Sequence, residues 1–113
     1  IVPYLPFRFR LVQVAGHSME PTLCPGDLLL VRVGAPVRPD RIAVVQLPPD
    51  AHGQPRPVAV KRVTGHDPAD PTRWWVERDN PRVGVDSWLV GSLHPTEVLA
   101  IAVMRLWPRP RRV

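Results

Sequence analysis

Apolar residues in this 113-residue chain fall in short runs, and proline separates nearly all of them. Sixteen prolines leave only brief windows between them. Each proline removes a backbone donor and clashes with a preceding helical turn, so long helices do not fit. The remaining windows are rich in β-branched residues and predict strands at Phe9–Ala15, Leu28–Val33, Ile42–Leu47, Val58–Thr64, Arg73–Glu77 and Val98–Leu106. The last is ambiguous, because Glu97-Val98-Leu99-Ala100 also suits a helix. Turn signals separate the strands at Pro25-Gly26-Asp27, Pro48-Pro49-Asp50 and Asn80-Pro81. Pro48–Pro57 reads as a flexible loop or hairpin tip, and Arg109-Pro110-Arg111-Arg112 as a frayed, solvated tail. There is no internal repeat. The pattern predicts a mostly β, compact single domain of short antiparallel strands over residues 1–113, with 1–8 as a lead-in and 109–113 as a basic tail.

Composition narrows the classes. At 12.7 kDa, with 44% hydrophobic and 22% charged residues, the chain can bury a core without disulfides. Its longest apolar run, Val98 to Met104, is seven residues, whereas a spanning helix needs about 20. The start lacks the apolar stretch of a secretory signal. The chain opens on Ile1 rather than Met, so an upstream segment, with room for an anchor, is expected. Cys24 is the single cysteine, which excludes an intramolecular disulfide and any multi-cysteine zinc site. No metal and no cofactor are expected.

The net charge is +5, and the basic residues are fourteen Arg and one Lys. A pI near 11 invites a nucleic-acid-binding reading. Against it, the arginines are scattered apart from the tail, and neither a recognition helix nor an aromatic RNA-binding motif is present, so nucleic acid is not an expected partner. The lone Lys61 is more informative. A chain that uses Arg wherever Arg will serve has kept a side chain here that can deprotonate.

Two segments carry chemistry. Gly16-His17-Ser18-Met19-Glu20-Pro21-Thr22-Leu23 connects the first two predicted strands and presents Ser18 on an exposed turn. Gly16 lets the backbone approach a ligand closely. The Ser18 amide is the natural donor to an oxyanion forming beside its own hydroxyl, with Gly16, His17 and Met19 completing the oxyanion and substrate loop. In Val58-Ala59-Val60-Lys61-Arg62-Val63-Thr64, period two puts Lys61 on the small, apolar side with Ala59 and Val63, and Arg62 on the other. Desolvation there lowers a lysine pKa. To act as a base near neutrality it must fall from ~10.4 to about 7 or 8. Taken alone, Ser18 also suits a polar turn and Lys61 an exposed edge. Together they suit a serine activated by a neutral lysine. His17, His52, His66 and His94 all fall in predicted loops without an acidic partner nearby in sequence.

These residues resemble a known family. Gly16-x-Ser18-Met19-x-Pro21-Thr22-Leu23-x-x-Gly26-Asp27 is similar to the nucleophile box of type I signal peptidases and their S26 relatives, within the wider S24/S26 group of Ser–Lys peptidases. Val60-Lys61-Arg62-Val63 resembles the lysine box, and Asp79-Asn80 followed by Asp86-Ser87 and Gly91 the third box. The resemblance runs from about Phe9 to Pro108. It implies a coiled antiparallel sheet or partial barrel, and a serine endopeptidase that removes an N-terminal leader through an acyl-enzyme. It also implies Ser18 as nucleophile, Lys61 as base, Arg62 paired with Asp79 behind them, and Asp86 and Ser87 stiffening the same wall. Family members commonly prefer small residues before the cut. Leu5-Pro6-Phe7, Gly34-Ala35-x-Val37-Arg38-Pro39 and Trp74-Trp75-Val76 further resemble the small maturation proteases of nickel-type superoxide dismutase, which implies that dismutase's precursor as a partner. The cellular location stays open, cytoplasmic for a maturation protease and the outer face of the plasma membrane for a signal peptidase. Membrane association would come only through a segment outside this chain.

The sequence also departs from the family pattern. Asp40-Arg41 stands where many relatives have Gly-Asp, Arg78 replaces the Gly of Gly-Asp-Asn, and Trp88 replaces an Arg. Gly84 stands where some members place a Ser that orients the lysine, and Gly16 where some place an oxyanion-hole Ser. Two other readings accompany the peptidase: an inactive relative that binds leader peptides uncut, and a repressor-type domain that cleaves its own linker.

Overall fold

A computed structural model describes residues 8–113. Its strands are β1 (Arg8–Gln13), β2 (Leu28–Val33), β3 (Ile42–Val45), β4 (Ala59–Asp67), β5 (Asp70–Glu77), β6 (Val98–Trp107) and β7 (Arg111–Arg112). A one-turn helix α1 (Ser87–Val90) and a 3₁₀ turn (Pro95–Glu97) fall between β5 and β6. The seven strands form one antiparallel sheet in the order β1-β2-β6-β3-β4-β5, with β7 added on β6. The sheet does not close into a barrel, so the expected mostly β architecture holds as an open antiparallel sheet. No helix among the described residues is long and apolar enough to cross a membrane.

The apolar runs separate inner strands from outer ones. Ile42 and Val44 enter one core cluster with Met19, Leu23, Leu29, Val31, Ala100 and Ala102. Ala43 and Val45 enter a second with Leu47, Val63, Val76, Leu93 and Ile101. All of β3 is therefore buried, which is why it reads as an unbroken Ile-Ala-Val-Val. Strand β6 likewise sends Ala100 and Ala102 one way and Ile101 the other, so the ambiguous Val98 window is a strand. Strand β1, at the sheet edge, leaves Leu11 well exposed.

Several sequence expectations need correction. Strand β4 continues past Thr64 to Asp67, so His66 is a strand residue stacked on Trp74, not a loop residue. The continuation works because Gly65 sits at a register shift, where an extra residue is absorbed most easily. Strand β5 starts at Asp70 and includes Pro71, which an edge strand tolerates. Arg8, placed in the lead-in, already pairs with Val33. The Leu5-Pro6-Phe7 motif lies outside the described residues. Pro48–Pro57 does link the β3–β4 hairpin, but it is tied down. Asp50 Oδ1 accepts from the backbones of His52 and Gln54, and Arg56 donates to the carbonyls of Pro48 and Pro49.

The basic tail is not frayed. Arg111 and Arg112 pair with Arg105 and Met104, Arg111 Nη2 donates to the Thr22 carbonyl, and Val113 packs on the first core cluster. The sequence hid this because the strand's two residues are both arginines. Removing residues 109–113 is expected to destabilise the protein by about 1–2 kcal/mol and lower Tm by roughly 5–10 °C. Thermal unfolding followed by circular dichroism checks this, and an unchanged Tm would show that β7 contributes nothing.

Candidate active site

The connection between β1 and β2 is folded on itself before it meets the rest of the chain. Val14 N–H donates to Asp27 and Gly26 N–H to Val14, closing its neck. Leu23 N–H donates to Met19, and Met19 and Leu23 are fully buried in the core. Gly16 takes φ +73°, a left-handed conformation that glycine adopts without strain. Ser18 is thereby carried, half-buried, above the core.

Lys61 comes from the interior strand β4, opposite Ala43 of β3, and is 4% exposed. Val63 and Ala59 belong to the second core cluster, as the period-two reading requires. The Lys61 Nζ donates to Ser18 Oγ at 2.8 Å. Burial pushes its pKa below the ordinary lysine value, and the positive charge of Arg78 lowers it further, while the carboxylate of Asp86 acts in the opposite sense.

The third segment clamps this pair. Asn80 N–H donates to the Ser18 carbonyl at 2.8 Å, and Asn80 Nδ2 donates to the His17 carbonyl at 3.0 Å. Asp79 takes a bidentate pair from Arg62 (Nε to Oδ1 at 2.9 Å, Nη2 to Oδ2 at 2.8 Å) and a further bond from the Thr22 hydroxyl. The Arg62 hydrogen bonds hold the Asp79 carboxyl below its usual range, and Asp79 raises the guanidinium in return. Arg62 Nη1 also donates to the carbonyl of Asp40, which itself takes φ +69°. The aspartate thus occupies a left-handed conformation that favours glycine.

Asp86 is buried and caps α1. Its Oδ1 accepts from Trp88 N–H, its Oδ2 from Arg78 N–H, and the Arg78 guanidinium lies 3.7 Å away. Ser87, 1% exposed, accepts from the Val76 N–H of β5. Both residues therefore fasten the 78–88 wall. Trp88 is 75% exposed and meets Trp75 edge-on.

The sequence-predicted residues do not all converge. Ser18, Lys61, Arg62, Asp79 and Asp86 do, whereas Ser87 is held away from the pair by the Val76 N–H of β5. Gly16 lines the cavity beside Ser18 and Lys61. His17 lies on the exposed rim, where its imidazole pairs at 2.6 Å with Glu20, an acidic partner three residues away, contrary to the sequence expectation. Met19, expected with the substrate loop, turns its side chain into the core. Thr22, Asn80 and Arg111 were missed as positioning residues, since each acts on a backbone or carboxylate far away in sequence. Among the described residues no cluster of His, Cys, Asp and Glu could hold a metal.

A cavity of about 380 Å³ opens beside Ser18 and Lys61, walled by Val12, Ala15, Val44, Leu47, Val58 and Val60. No acceptor among the described residues takes the Ser18 N–H. A larger cavity on the β4–β5 hairpin, lined by Trp75 and Trp88, touches neither residue.

A serine hydroxyl against a buried lysine amine, at an apolar groove in an antiparallel β-sheet, is an arrangement suited to peptidase chemistry. The model of the Peptidase S24-like family matches residues 6–83, well over half of the chain, and the chain belongs to that family. No curated protein and no solved structure matches it. The matched stretch contains Ser18, Lys61, Arg62, Asp79 and Asn80, and ends just before Gly84 and Asp86.

Gly84 is the tightest point of the site. It takes φ +100°, and a Cβ built there would stand 2.7 Å from Ser18 Cβ and 3.5 Å from Lys61 Nζ. Gly84→Ala is expected to cost about 2–4 kcal/mol and to push Ser18 off Lys61. Gly34→Ala, with φ +80° and nothing within 4 Å, should cost less, because it carries only the backbone strain. Thermal unfolding of both variants checks the ordering, and equal losses would remove the steric role of Gly84.

The lowered Lys61 pKa has a consequence for stability. Between the folded value and the ordinary value near 10.5, the unfolded chain binds the proton and the native chain does not. Stability from this group therefore rises with pH across that window and levels off above it. The stability of the parent relative to Lys61→Met is expected to increase as pH rises through the alkaline range. Denaturant titrations at several pH values measure this, and a flat difference would place Lys61 at its unperturbed value.

Proposed function

We propose that this chain is a serine endopeptidase in which Ser18 is the nucleophile and Lys61 the general base, acting on the N-terminal leader of a precursor protein. The observation that carries this reading is the 2.8 Å contact between a buried lysine amine and a serine hydroxyl at the mouth of an apolar cavity. A lysine held neutral by burial accepts the Ser18 proton as Oγ attacks the scissile carbonyl. The Ser18 N–H, uncommitted to any acceptor among the described residues, is aimed to donate to the resulting oxyanion. The lysine ammonium then protonates the leaving amine, leaving an acyl-enzyme on Oγ. Lys61 next takes a proton from water as the water attacks the ester, and returns it to Oγ when the acid departs.

The walls of Val12, Ala15, Val44 and Val60 suit small apolar side chains beside the cut. Leader removal rests on the resemblance of the three boxes to signal peptidases. A nickel superoxide dismutase precursor is the specific substrate that the Gly34–Pro39 and Trp74–Val76 segments suggest. The Peptidase S24-like match equally supports the repressor-type reading, in which the chain cleaves itself.

The test uses the protein, Ser18→Ala and Lys61→Arg, each incubated with a proteome-derived peptide library, with new termini read by mass spectrometry. The parent is expected to cut and both variants to lose about 10³-fold or more while keeping the parent's circular dichroism. Cuts only within the chain itself would favour self-cleavage. Full activity in Lys61→Arg would sink the mechanism, and peptide capture without cutting by the parent would point to the non-cleaving relative.

A further inference from the structure

Nine of the chain's ten acidic residues are engaged near their own elements, and the tenth, Asp40, lies in the β2–β3 connection between Arg38 and Arg41 without an ion pair among the described residues. Asp27 meets Arg105, Asp79 meets Arg62, Asp86 meets Arg78 and Glu20 meets His17. Asp67, Asp70, Glu77 and Glu97 bond hydroxyls or backbone amides, and Asp50 caps its own loop. Three arginines gather at one cavity. Arg32 of β2, Arg38 and Arg41 of the β2–β3 connection, and Ile101 and Val103 of β6 line a cavity of about 370 Å³, together with Ala35 and Pro36.

No carboxylate among the described residues lies within ion-pair distance of Arg38 or Arg41. Residues 1–7 contain no Asp or Glu that could supply one. Arg41 is also oriented, since its Nη2 donates to the Ala102 carbonyl at 3.2 Å and so fixes the plane of the guanidinium. Guanidinium groups match carboxylate and phosphate oxygens in paired geometry, and apolar walls strengthen such bonds by displacing water. The cavity is separate from the Ser18 groove. The two share no lining residue, although the Arg41 carbonyl accepts from Val63 N–H on the Lys61 strand.

We propose that this cavity is a second binding site, for an oxyanion that carries a small apolar group. Arg38 and Arg41 hold the anionic head, and Ile101, Val103 and Pro36 cover the apolar part. The same chemistry is offered by a phosphate monoester and by an acidic side chain beside an apolar residue in a polypeptide. The site's volume falls within the range of small-ligand pockets.

The test is a titration of ¹³C,¹⁵N-labelled protein, reading the arginine Nε–Hε resonances and the Ile101 and Val103 methyl groups. The probes are inorganic phosphate, phenyl phosphate and acetyl-Asp-Leu-amide. Saturable shifts confined to Arg32, Arg38, Arg41 and the two methyl-bearing residues are expected. Phenyl phosphate or the peptide should bind several-fold more tightly than inorganic phosphate. Whichever of the two binds more tightly identifies the source of the anion. Arg38→Ala, an exposed position with no bond to the fold, should weaken binding about tenfold, and Arg41→Ala similarly. Shifts that fail to saturate or spread over the arginines generally, or an Arg38→Ala variant that binds as the parent does, would overturn the site. Peptidase activity is measured alongside and should be unchanged in Arg38→Ala, so that this proposal and the Ser18–Lys61 reading fail separately.

Discussion

The amine of Lys61 is buried in the middle of a β-sheet, and much of the local design answers that fact. An isolated ammonium in such a place is costly, so burial favours its neutral form. The polar atom it reaches is the Ser18 hydroxyl, 2.8 Å away. Strand β4 pairs with β3 at Lys61 itself and with β5 from Arg62 onward, and from this buried position the amine reaches the serine loop. Burial thus does two things with one residue: it lowers the pKa and it fixes the direction of the amine.

Such an arrangement works only if the serine is as well fixed as the lysine. A turn of Gly, His and Ser has little side-chain bulk to hold it. The hold comes from below, through Met19 and Leu23 in the core, and from the side, through Asn80 gripping two successive carbonyls of the turn. Asp79 adds a third tie, because one carboxylate bonds both Arg62, next to Lys61, and Thr22, at the end of the serine turn. The two halves of the site are thus joined through a single aspartate. Arg111 completes the same frame by binding the Thr22 carbonyl from β7.

Legibility in the sequence followed the range of the interactions. The inner strands announced themselves as unbroken apolar runs, and the side of Lys61 followed from period two. Ser18 and Lys61 were legible as residue types whose chemistry fits together. What was not legible depends on distant partners. His66 became a strand residue only because a glycine absorbed the register shift, and Arg111-Arg112 became a strand only because β6 offered an open edge. Asn80 and Thr22 act on backbone atoms or on a carboxylate brought close by the fold, and neither carries a local pattern that says so. Met19 stands in the serine loop, but its apolar side chain is buried and anchors the turn to the core.

Gly84 leaves no room for a side chain at the site. A Cβ there would collide with Ser18, so no side chain at this position could orient the lysine. The loop instead passes so close that its backbone fills the space, with the Gly84 carbonyl bound by Arg78. Orientation of the amine must then come from elsewhere, and strand packing and the Ser18 hydroxyl are the means at hand. Arg78 belongs to the same arrangement. Its main chain and guanidinium both engage Asp86, and its guanidinium also holds Gly84, so residues 78 and 84 are two parts of one wall. Its positive charge further disfavours a protonated Lys61, while the Asp86 carboxylate opposes it. The pair leaves burial as the dominant influence on the lysine, and burial favours a neutral amine facing Ser18.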